Sequence, residues 1–300
     1  MRWIRNFRSC AGAEFFFVFG MDFFLGHSPD PDDAFMFYAL AKNKIDTRGH
    51  RFEHILQDIE TLNQGALRGE LHISAVSIHA YAHLTDQYAL LPCGASMGDG
   101  YGPMVVTLGK PPTDLKEIRK WAKSKKIAIP GKKTSAYLAL RLFAGEVDTI
   151  TVPFDEIFDA VKVGKADIGL IIHEGQITYA NEGFRLALDL GFWWKSTTGL
   201  PLPLGGNIIR KDIPKEIQKE VSDILKASID YGLKNRKAGV QHAMPLARGL
   251  DQEGADRFID MYVNDFTLDY GRTGRSAIRE FLGRASNERL IPELVSLEFV

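Results

Sequence analysis

The sequence has few cysteines and almost no excess of charge of either sign. Two cysteines in 300 residues, Cys10 and Cys93, cannot form a disulfide framework, so the fold does not depend on an oxidising compartment. The 37 Lys and Arg residues are balanced by 38 Asp and Glu residues, which leaves no basic surplus to bind nucleic-acid phosphates. No run of about 18 uncharged apolar residues is present, so we expect no membrane insertion. These absences disfavour a nucleic-acid partner, a membrane anchor within the fold and a disulfide scaffold.

What the sequence does contain is the composition of an ordinary globular protein. Apolar residues make up 45 % and charged residues 25 %, which is enough apolar surface to form a core. The length of 300 residues favours about two domains. From Met21 onward, apolar strand-like segments alternate with helical ones, a pattern that predicts an α/β fold with right-handed crossovers. The predicted strands span residues 22–26, 52–57, 71–75, 88–92, 104–108, 126–130, 149–154, 166–172 and 199–210.

The alternation falls into two blocks, which predicts a two-lobed clamshell. The charged segment 110–126 contains two prolines and is interpreted as a surface crossing. Beyond the last strand the chain is predicted to be mostly helical and to return to the first block. We predict a larger discontinuous lobe from residues 21–108 and 200–300 and a smaller inserted lobe from residues 109–199, with mixed or parallel sheets and two crossing strands. The ligand would lie in the cleft, where the carboxyl ends of the strands face the opposite lobe.

The first twenty residues are interpreted as an extension outside the fold. Three arginines precede an apolar patch at residues 15–19, which loosely resembles a signal peptide. Glu14 interrupts the apolar region, and no clean Ala-x-Ala cleavage site follows. An export signal is the alternative, and it matters because an exported binding protein is one rival for the function.

His173 is the strongest candidate for chemistry. It follows the continuous apolar segment 169–172 and therefore lies where a buried strand ends. An imidazole at such a position can remove a proton near neutral pH, and Glu174 is adjacent. The alternative is a strand-end histidine that binds a loop carbonyl, and the pattern by itself leaves both open.

Two segments are candidates for contacting a ligand. Residues 131–136 follow a strand and open a helix, where exposed backbone N–H groups and the hydroxyls of Thr134 and Ser135 bind carboxylates or phosphates. The Gly-x4-Gly-Lys spacing of a Walker loop is absent. Ser74 and Ser77 lie at a second strand-to-helix junction. In both segments the alternative is that the hydroxyls only cap helices.

The acidic and histidine clusters lack the spacing of a metal site. Asp30, Asp32 and Asp33 follow no EF-hand pattern, and helix capping explains them better. His79 and His83 are four residues apart on a predicted helix, but no third ligand is suggested nearby. We therefore expect no metal.

The aromatic segment 192–194 has two interpretations. It either lines the cleft, where it would suit a planar ligand, or packs in the core. No nucleophile elbow and no Gly-x-Gly-x-x-Gly turn is present, so the sequence does not support triad chemistry or dinucleotide binding.

Several segments, in order and at fitting spacing, carry a resemblance to one enzyme family. They are Ser28-Pro-x-Pro-x-Asp-x-Phe, Gln57-Asp-Ile-Glu-Thr-Leu-Asn63, Ser77 with Ala80-Tyr81, Gly131 to Tyr137, Leu170-Ile-Ile-His-Glu174, Leu190-Gly-x-Trp-Trp194, Thr198-Gly-Leu-Pro-Leu-Pro-Leu-Gly205 and Tyr262-Val-Asn-x-Phe-x-Leu-Asp269. From about Met21 to Val300 the chain resembles the 1,4-dihydroxy-6-naphthoate synthases of the futalosine route to menaquinone. The Leu-Ile-Ile-His-Glu element is the most specific of these segments.

This resemblance implies a type-2 periplasmic-binding-protein fold used as a cytoplasmic lyase that needs no cofactor. The implied reaction converts cyclic dehypoxanthinylfutalosine to 1,4-dihydroxy-6-naphthoate and releases a sugar-derived fragment, so the expected partner is a small aromatic carboxylate substrate. By the same resemblance, His173 is the general base that starts the ring-opening elimination. The residues expected to bind the substrate are Ala75, Val76, Ser77, Thr134, Ser135 and Ala136.

The chain departs from the family pattern at two places near the expected site. Relatives often have Cys-Pro-Asn-Asp-Thr where this chain has Asp30-Pro-Asp-Asp-Ala34, so a contact there would change in charge or be lost. Some relatives also have a lysine in place of Ala75, and a charged contact could instead come from Lys132 or Lys133.

Two other functions stay open at this stage, and the oligomeric state is not predicted. A solute-binding protein of a transporter would use the same clamshell, but it would carry a clean leader and need no base at His173. Chorismate dehydratase, a sibling enzyme of the same pathway, shares the fold but is not expected to carry that histidine.

Overall fold

Two β-sheets form the framework of the structure, a computed structural model that describes residues 20–293 and 296–300. The N-terminal extension expected over residues 1–20 lies outside the described residues, except for Gly20. The strands are β1 (Asp22–His27), β2 (Arg51–Leu56), β3 (Ile73–Ser77), β4 (Tyr88–Leu90), β5 (Ser96–Gly98), β6 (Met104–Thr107), β7 (Lys126–Ile129), β8 (Asp148–Thr151), β9 (Ile168–Ile171), β10 (Arg185–Asp189) and β11 (Leu202–Arg210).

Helices cover the faces and ends of these sheets. They are α1 (Pro31–Met36), α2 (Tyr38–Ala41), α3 (Ile59–Leu67), α4 (Ile78–Tyr81), α5 (Leu115–Lys123), α6 (Ser135–Ala144), α7 (Ile157–Lys162), α8 (Gly175–Thr178), α9 (Leu190–Thr198), α10 (Lys215–Lys234), α11 (Arg236–Ala243), α12 (Gln252–Tyr262), α13 (Asp265–Leu268) and α14 (Gly271–Asn287), with short 3-10 turns at Phe154–Glu156 and Met244–Leu246. In the described part of the chain, no helix combines the length and the apolar character needed to cross a membrane.

The first sheet belongs to the larger lobe and is mixed. Its order is β2-β1-β3-β11-β4, and β5 also pairs with β11. β1 runs parallel to β2 and β3, whereas β11 runs antiparallel to β3, β4 and β5. The helices that follow β11 pack back onto this sheet, as the sequence predicts, and bury α1 beneath α10, α11 and α12.

The second sheet belongs to the smaller lobe and has the order β10-β6-β9-β7-β8. β7 is parallel to β8 and β9, and β6 is antiparallel to β9 and β10. Because β6 pairs in this sheet, the sheet begins at Met104, ahead of the predicted lobe boundary at residue 108. The chain crosses between the sheets at residues 99–103 and 199–201.

The start of α9 lies close to the first crossing, and glycine makes this possible. A Cβ atom on Gly191 would lie 1.8 Å from the carbonyl oxygen of Tyr101. No other residue type fits there without moving the backbone. The approach holds the start of α9 against the first crossing.

One helix occupies a segment predicted as a surface crossing. Within residues 110–126, Asp114 accepts hydrogen bonds from the backbone N–H groups of Lys116 and Glu117 and so begins α5. Ile118 and Ala122, four residues apart, pack in the core. This spacing is typical of an amphipathic helix, but the high charge of the segment obscured it.

The aromatic segment 192–194 packs in the core rather than lining the cleft. Trp194 is fully buried and donates its indole N–H to the carbonyl oxygen of Pro201 at 3.1 Å. Trp193 packs edge-on against Phe143, and Phe192 points outward. The interpretation of this segment as a cleft wall is therefore wrong, because α9 presents both tryptophans to α6 and α14.

Candidate active site

A cleft that is open to solvent on one side lies between the two lobes. Its wall includes the carboxyl ends of β3 and β9, the loop before α1 and the start of α6. The site residues expected from the sequence all line it, although they come from three separate parts of the chain: Ala75, Val76, Ser77, Thr134, Ser135, Ala136 and His173.

His173 lies just beyond β9, and its backbone is in the left-handed region. Its φ of 56° is a conformation that costs a residue with a side chain about 1–2 kcal/mol. The ring of Phe154 packs against the imidazole with centroids 4.5 Å apart. Nε2 is buried and has no hydrogen-bond partner among the described residues. Such an unsatisfied nitrogen is uncommon in a folded protein, and a ligand atom that bonded to it would relieve the cost.

The other ring nitrogen of His173 is paired with Asp30. Nδ1 lies 2.9 Å from Asp30 Oδ2, and the carboxylate is almost fully buried. Ser28 Oγ donates to the same oxygen, and Nη2 of Arg248 donates to Oδ1 at 2.9 Å. Arg248 also donates to the carbonyl oxygen of Pro29. A carboxylate held by three donors orients the imidazole and fixes which nitrogen faces the cleft.

The prediction that the side chain of Asp30 caps α1 is therefore wrong. Asp30 does occupy the N-cap position, with an extended backbone, but its side chain makes no capping hydrogen bond. Its oxygens bind His173, Ser28 and Arg248 instead. The nearby Asp33 also does not cap the helix in the usual way, since it accepts from the backbone N–H of Ser28 at 2.6 Å.

The proximity of these groups changes their pKa values. Burial by itself would lower the pKa of His173, but the charge of Asp30 and its hydrogen bond outweigh burial and raise that pKa to about 9. Burial would raise the pKa of Asp30, yet the charge of His173 holds it below its ordinary value. The pair is thus an ion pair when His173 carries a proton.

Three further carboxylates surround this pair. Burial and the charge of Asp30 raise the pKa of Asp32 to about 7. Burial and the charge of Asp32 raise the pKa of Asp33 well above its ordinary value, and burial and the charge of Asp30 raise that of Glu174. No group of three His, Cys, Asp or Glu side chains suited to a metal ion is found within residues 20–293 and 296–300.

The start of α6 forms the opposite wall. Thr134 is the N-cap, and its hydroxyl accepts from the backbone N–H of Tyr137 at 3.2 Å and donates to the carbonyl oxygen of Gly131. Ser135 donates to the carbonyl oxygen of Leu204 at 2.6 Å. Both hydroxyls therefore have structural partners, and the groups left for a ligand are the backbone N–H donors at the helix start. These donors and the helix dipole favour an anion.

Asn63 hydrogen-bonds to the junction at the end of β3. Its amide donates to Ser77 Oγ at 3.1 Å and accepts from the backbone N–H of Ser77 at 2.9 Å. Although Ser77 stands at the N-cap position of α4, its side chain makes no capping hydrogen bond. The hydroxyl of Ser77 thus lines the cleft and does not cap α4. Ala75 and Val76 line the cleft beside it.

His79 of α4 and His83, which follows that helix, lie beside the site and bind protein groups. His79 Nδ1 is 3.2 Å from the carbonyl oxygen of Thr134, and the Nε2 atom of His83 is 3.0 Å from Lys133 Nζ. Burial lowers the pKa of His79 to about 4, so this ring is neutral near pH 7. Both rings therefore support the start of α6.

Several site residues were not anticipated from the sequence. Arg248 lies far along the chain in a stretch with no motif, and only the tertiary fold brings it to Asp30. Gln176 and Tyr262 line the cleft and hydrogen-bond to each other across it. The signal for Tyr262 was its place in a segment shared with the family, whereas Gln176 and Arg248 gave none.

Comparison with known proteins identifies the family. Residues 24–287 match a family described as menaquinone biosynthesis. The chain is 36 % identical over 276 residues to a 1,4-dihydroxy-6-naphthoate synthase of Streptomyces coelicolor, covering 90 % of this chain and 95 % of that protein. It is likewise 36 % identical over 261 residues to a synthase of the same name from Thermus thermophilus, covering 87 % and 93 %.

Solved structures support the fold. A protein from Archaeoglobus fulgidus is 42 % identical, with a TM-score of 0.84 over 90 % of this chain and 98 % of that one. The alkanesulfonate-binding protein SsuA of Xanthomonas axonopodis pv. citri has a TM-score of 0.68 at 10 % identity, over 92 % and 96 % of the two chains, which shows the fold alone. The predicted binding-protein-like clamshell is confirmed, as is the prediction of an enzyme. The chain belongs to the menaquinone biosynthesis family.

Proposed function

We propose that this enzyme converts cyclic dehypoxanthinylfutalosine to 1,4-dihydroxy-6-naphthoate, with His173 as the general base. The observation that carries the proposal is the environment of His173: Nδ1 is bound by Asp30, and Nε2 has no partner among the described residues of the cleft. The names of the relatives from two bacteria support the same reaction.

The opposite wall of the cleft suits the other end of such a substrate. An aromatic carboxylate would accept hydrogen bonds from the backbone N–H groups of Ser135 and Ala136, the first two residues of α6. Ser77, held by Asn63, would contact a hydroxyl or carboxylate oxygen nearby. The acidic wall around Asp30 repels the carboxylate, and this repulsion favours one orientation of the ligand.

In the proposed step, Nε2 accepts a proton from a carbon of the substrate. The C–H bond breaks, an N–H bond forms, and the electron pair of the C–H bond becomes part of a double bond as the leaving group departs. Asp30 stabilises the resulting imidazolium through Nδ1. The step needs no further reactant.

The direct test is to incubate the purified protein with cyclic dehypoxanthinylfutalosine and to follow the naphthoate by mass spectrometry. We expect His173→Gln to lower kcat by roughly 10²–10⁴, because general-base catalysis contributes about that much. His242→Gln is a matched control, since His242 stacks on Tyr38 away from the cleft.

Three results would contradict the proposal. If the intact protein forms no naphthoate but dehydrates chorismate, the sibling activity is the right one. If it only binds a solute tightly, the clamshell serves binding alone. Near-full turnover in His173→Gln would remove the role of this residue while leaving the reaction in place.

A further inference from the structure

Asp30 and His173 belong to different lobes. Asp30 precedes α1 in the larger lobe, where Ser28 and Arg248 of the same lobe hold its two oxygens. His173 follows β9 in the smaller lobe. The 2.9 Å contact between them therefore exists only while the lobes are together.

We propose that Asp30 is a positioning residue that makes His173 a strong base only when the cleft is closed. This inference rests on the proposed function, in which His173 accepts the proton. It adds the requirement that the lobes close, which does not follow from the assignment of His173 as the base.

The charged groups around the imidazole single out Asp30. Asp32 and Glu174 also face His173. Burial and the charge of Asp30 raise the pKa of Asp32 to about 7, so it is only partly ionised near neutral pH, and the same two causes raise the pKa of Glu174. Arg248 carries the opposite charge and opposes protonation, although it lies on the far oxygen of Asp30. In the closed form His173 holds the pKa of Asp30 below its ordinary value, and Asp30 makes the only direct bond to the ring among the described residues.

Closure of the lobes therefore makes His173 more basic at the time when a substrate is bound. With the lobes apart, the imidazole loses this carboxylate, its pKa returns toward the ordinary value, and it is largely neutral at pH 7 to 8. Closure around a substrate brings Asp30 to Nδ1 and raises the pKa, so the proton that Nε2 gains comes from the substrate carbon. Reopening lowers the pKa again, and the proton passes to water.

The buried state of Nε2 agrees with this order of events. In the closed arrangement the nitrogen is shielded from solvent. Water therefore exchanges protons with it slowly unless the cleft opens. A base that was loaded from water after closure could not accept a substrate proton.

The first test is a titration of His173 by NMR in the ligand-free protein, whose structure has the lobes together and Asp30 on Nδ1, with the signal assigned from its loss in His173→Gln. We expect Asp30→Asn to lower the measured pKa of His173 by at least one unit, because the substitution removes the charge and keeps the shape. Asp86→Asn, an exposed aspartate outside the cleft, is the matched control and should leave the titration unchanged.

The second test changes closure without touching the pair. Glu60 of the larger lobe accepts from the backbone N–H of Lys133 in the smaller lobe at 3.2 Å. We expect Glu60→Ala to enlarge the radius of gyration in small-angle scattering and to lower the pKa of His173 part of the way. The same variant keeps Asp30, so it also serves if Asp30→Asn folds poorly.

The third test is kinetic. We expect Asp30→Asn to lower kcat about 10- to 100-fold with a smaller change in KM, and to move the pH profile of kcat, because a weaker base accepts the proton less readily. A structural role alone would lower the amount of active protein and leave the profile in place.

The coupling is overturned if Asp30→Asn leaves the His173 pKa unchanged, or if Glu60→Ala separates the lobes without lowering it. These readouts use no substrate. If the wild-type protein fails to form the naphthoate, the proposed function fails, yet the titration still decides whether closure sets the pKa of His173.

Discussion

The side chain of Asp30 binds a residue far away in the sequence instead of capping the helix that it precedes. Its position before Pro31 and two further acidic residues is typical of a helix N-cap. The positive charge of a protonated imidazole stabilises a neighbouring buried carboxylate more than the weaker amide donors of a short helix do. Asp30 therefore binds the imidazole rather than the helix amides, because the fold brings the imidazole within hydrogen-bond distance.

The raised pKa of His173 predicts a pH-dependent stability. The folded pKa of about 9 lies above that of an unfolded histidine, so the folded protein binds the extra proton between the two values. The associated stability is complete below the unfolded pKa and is lost as the pH rises through about 9. We expect the free energy of unfolding to fall by on the order of 2–3 kcal/mol more in the wild type than in His173→Gln over this range.

Urea unfolding at several pH values measures this difference. His242→Gln serves as the control for an unrelated histidine, and its profile should follow the wild type. Parallel curves for the wild type and His173→Gln would contradict the assignment of the raised pKa to His173.

At the scale of elements, the start of α6 has two tasks. Its cap is ordinary helix chemistry: the hydroxyl of Thr134 accepts from the backbone N–H of Tyr137 and gives its only proton to the carbonyl oxygen of Gly131. Thr134, Ser135 and Ala136 also line the cleft. The same residues therefore begin the helix and form part of the cleft wall.

Substitution of the cap separates these tasks. We expect Thr134→Ala to lower the stability by about 1 kcal/mol and also to raise KM, because fraying of the first turn misplaces the amides. Asp114→Ala removes the cap of α5 and should have a similar cost in stability with no change in KM. Thermal unfolding and steady-state kinetics measure both effects, and an unchanged KM in Thr134→Ala would argue against substrate binding at this helix start.

The elements themselves were largely predictable. The predicted strands agree with β1–β4, β6–β9 and β11 within a few residues, and the helical segment predicted after the last strand contains α10–α14. Helix α5 and strands β5 and β10 were missed, because a highly charged surface helix and strands paired at a sheet edge have weak apolar patterns. In the described part of the chain, these elements are stabilised by packing on a sheet or on the core rather than by their own apolar pattern.

At the scale of the whole molecule, contacts across the cleft join the lobes. Asp30 meets His173, Glu60 meets the backbone of Lys133, and the hydroxyl of Tyr262 donates to Gln176. The bond of Tyr262 to Gln176 is a single neutral hydrogen bond worth about 1 kcal/mol, and the contacts of the two carboxylates are worth somewhat more. The start of α6 also binds the larger lobe through Ser135 and the carbonyl oxygen of Leu204. The loss of one contact therefore weakens the closed form without abolishing it.

Removing one contact shifts this balance. We expect Tyr262→Phe to move the equilibrium toward the open form by about five-fold, which corresponds to about 1 kcal/mol. The radius of gyration of the free protein should rise, and substrate affinity should weaken by a similar factor. Tyr231→Phe is the control, because Tyr231 packs against Tyr38 outside the cleft. Identical scattering and affinity for Tyr262→Phe and the wild type would show that this contact does not hold the lobes.

The sequence by itself determined the α/β architecture, the place of His173 at a strand end, and the capped start of α6 after a strand. These follow from apolar periodicity and helix-end chemistry, which act between residues near one another in the chain. Only the tertiary structure decided that Asp30 binds His173 rather than capping α1, that Arg248 supports it, and that Ser77 faces the cleft. Those outcomes depend on distances between residues up to 218 positions apart, which no local pattern encodes.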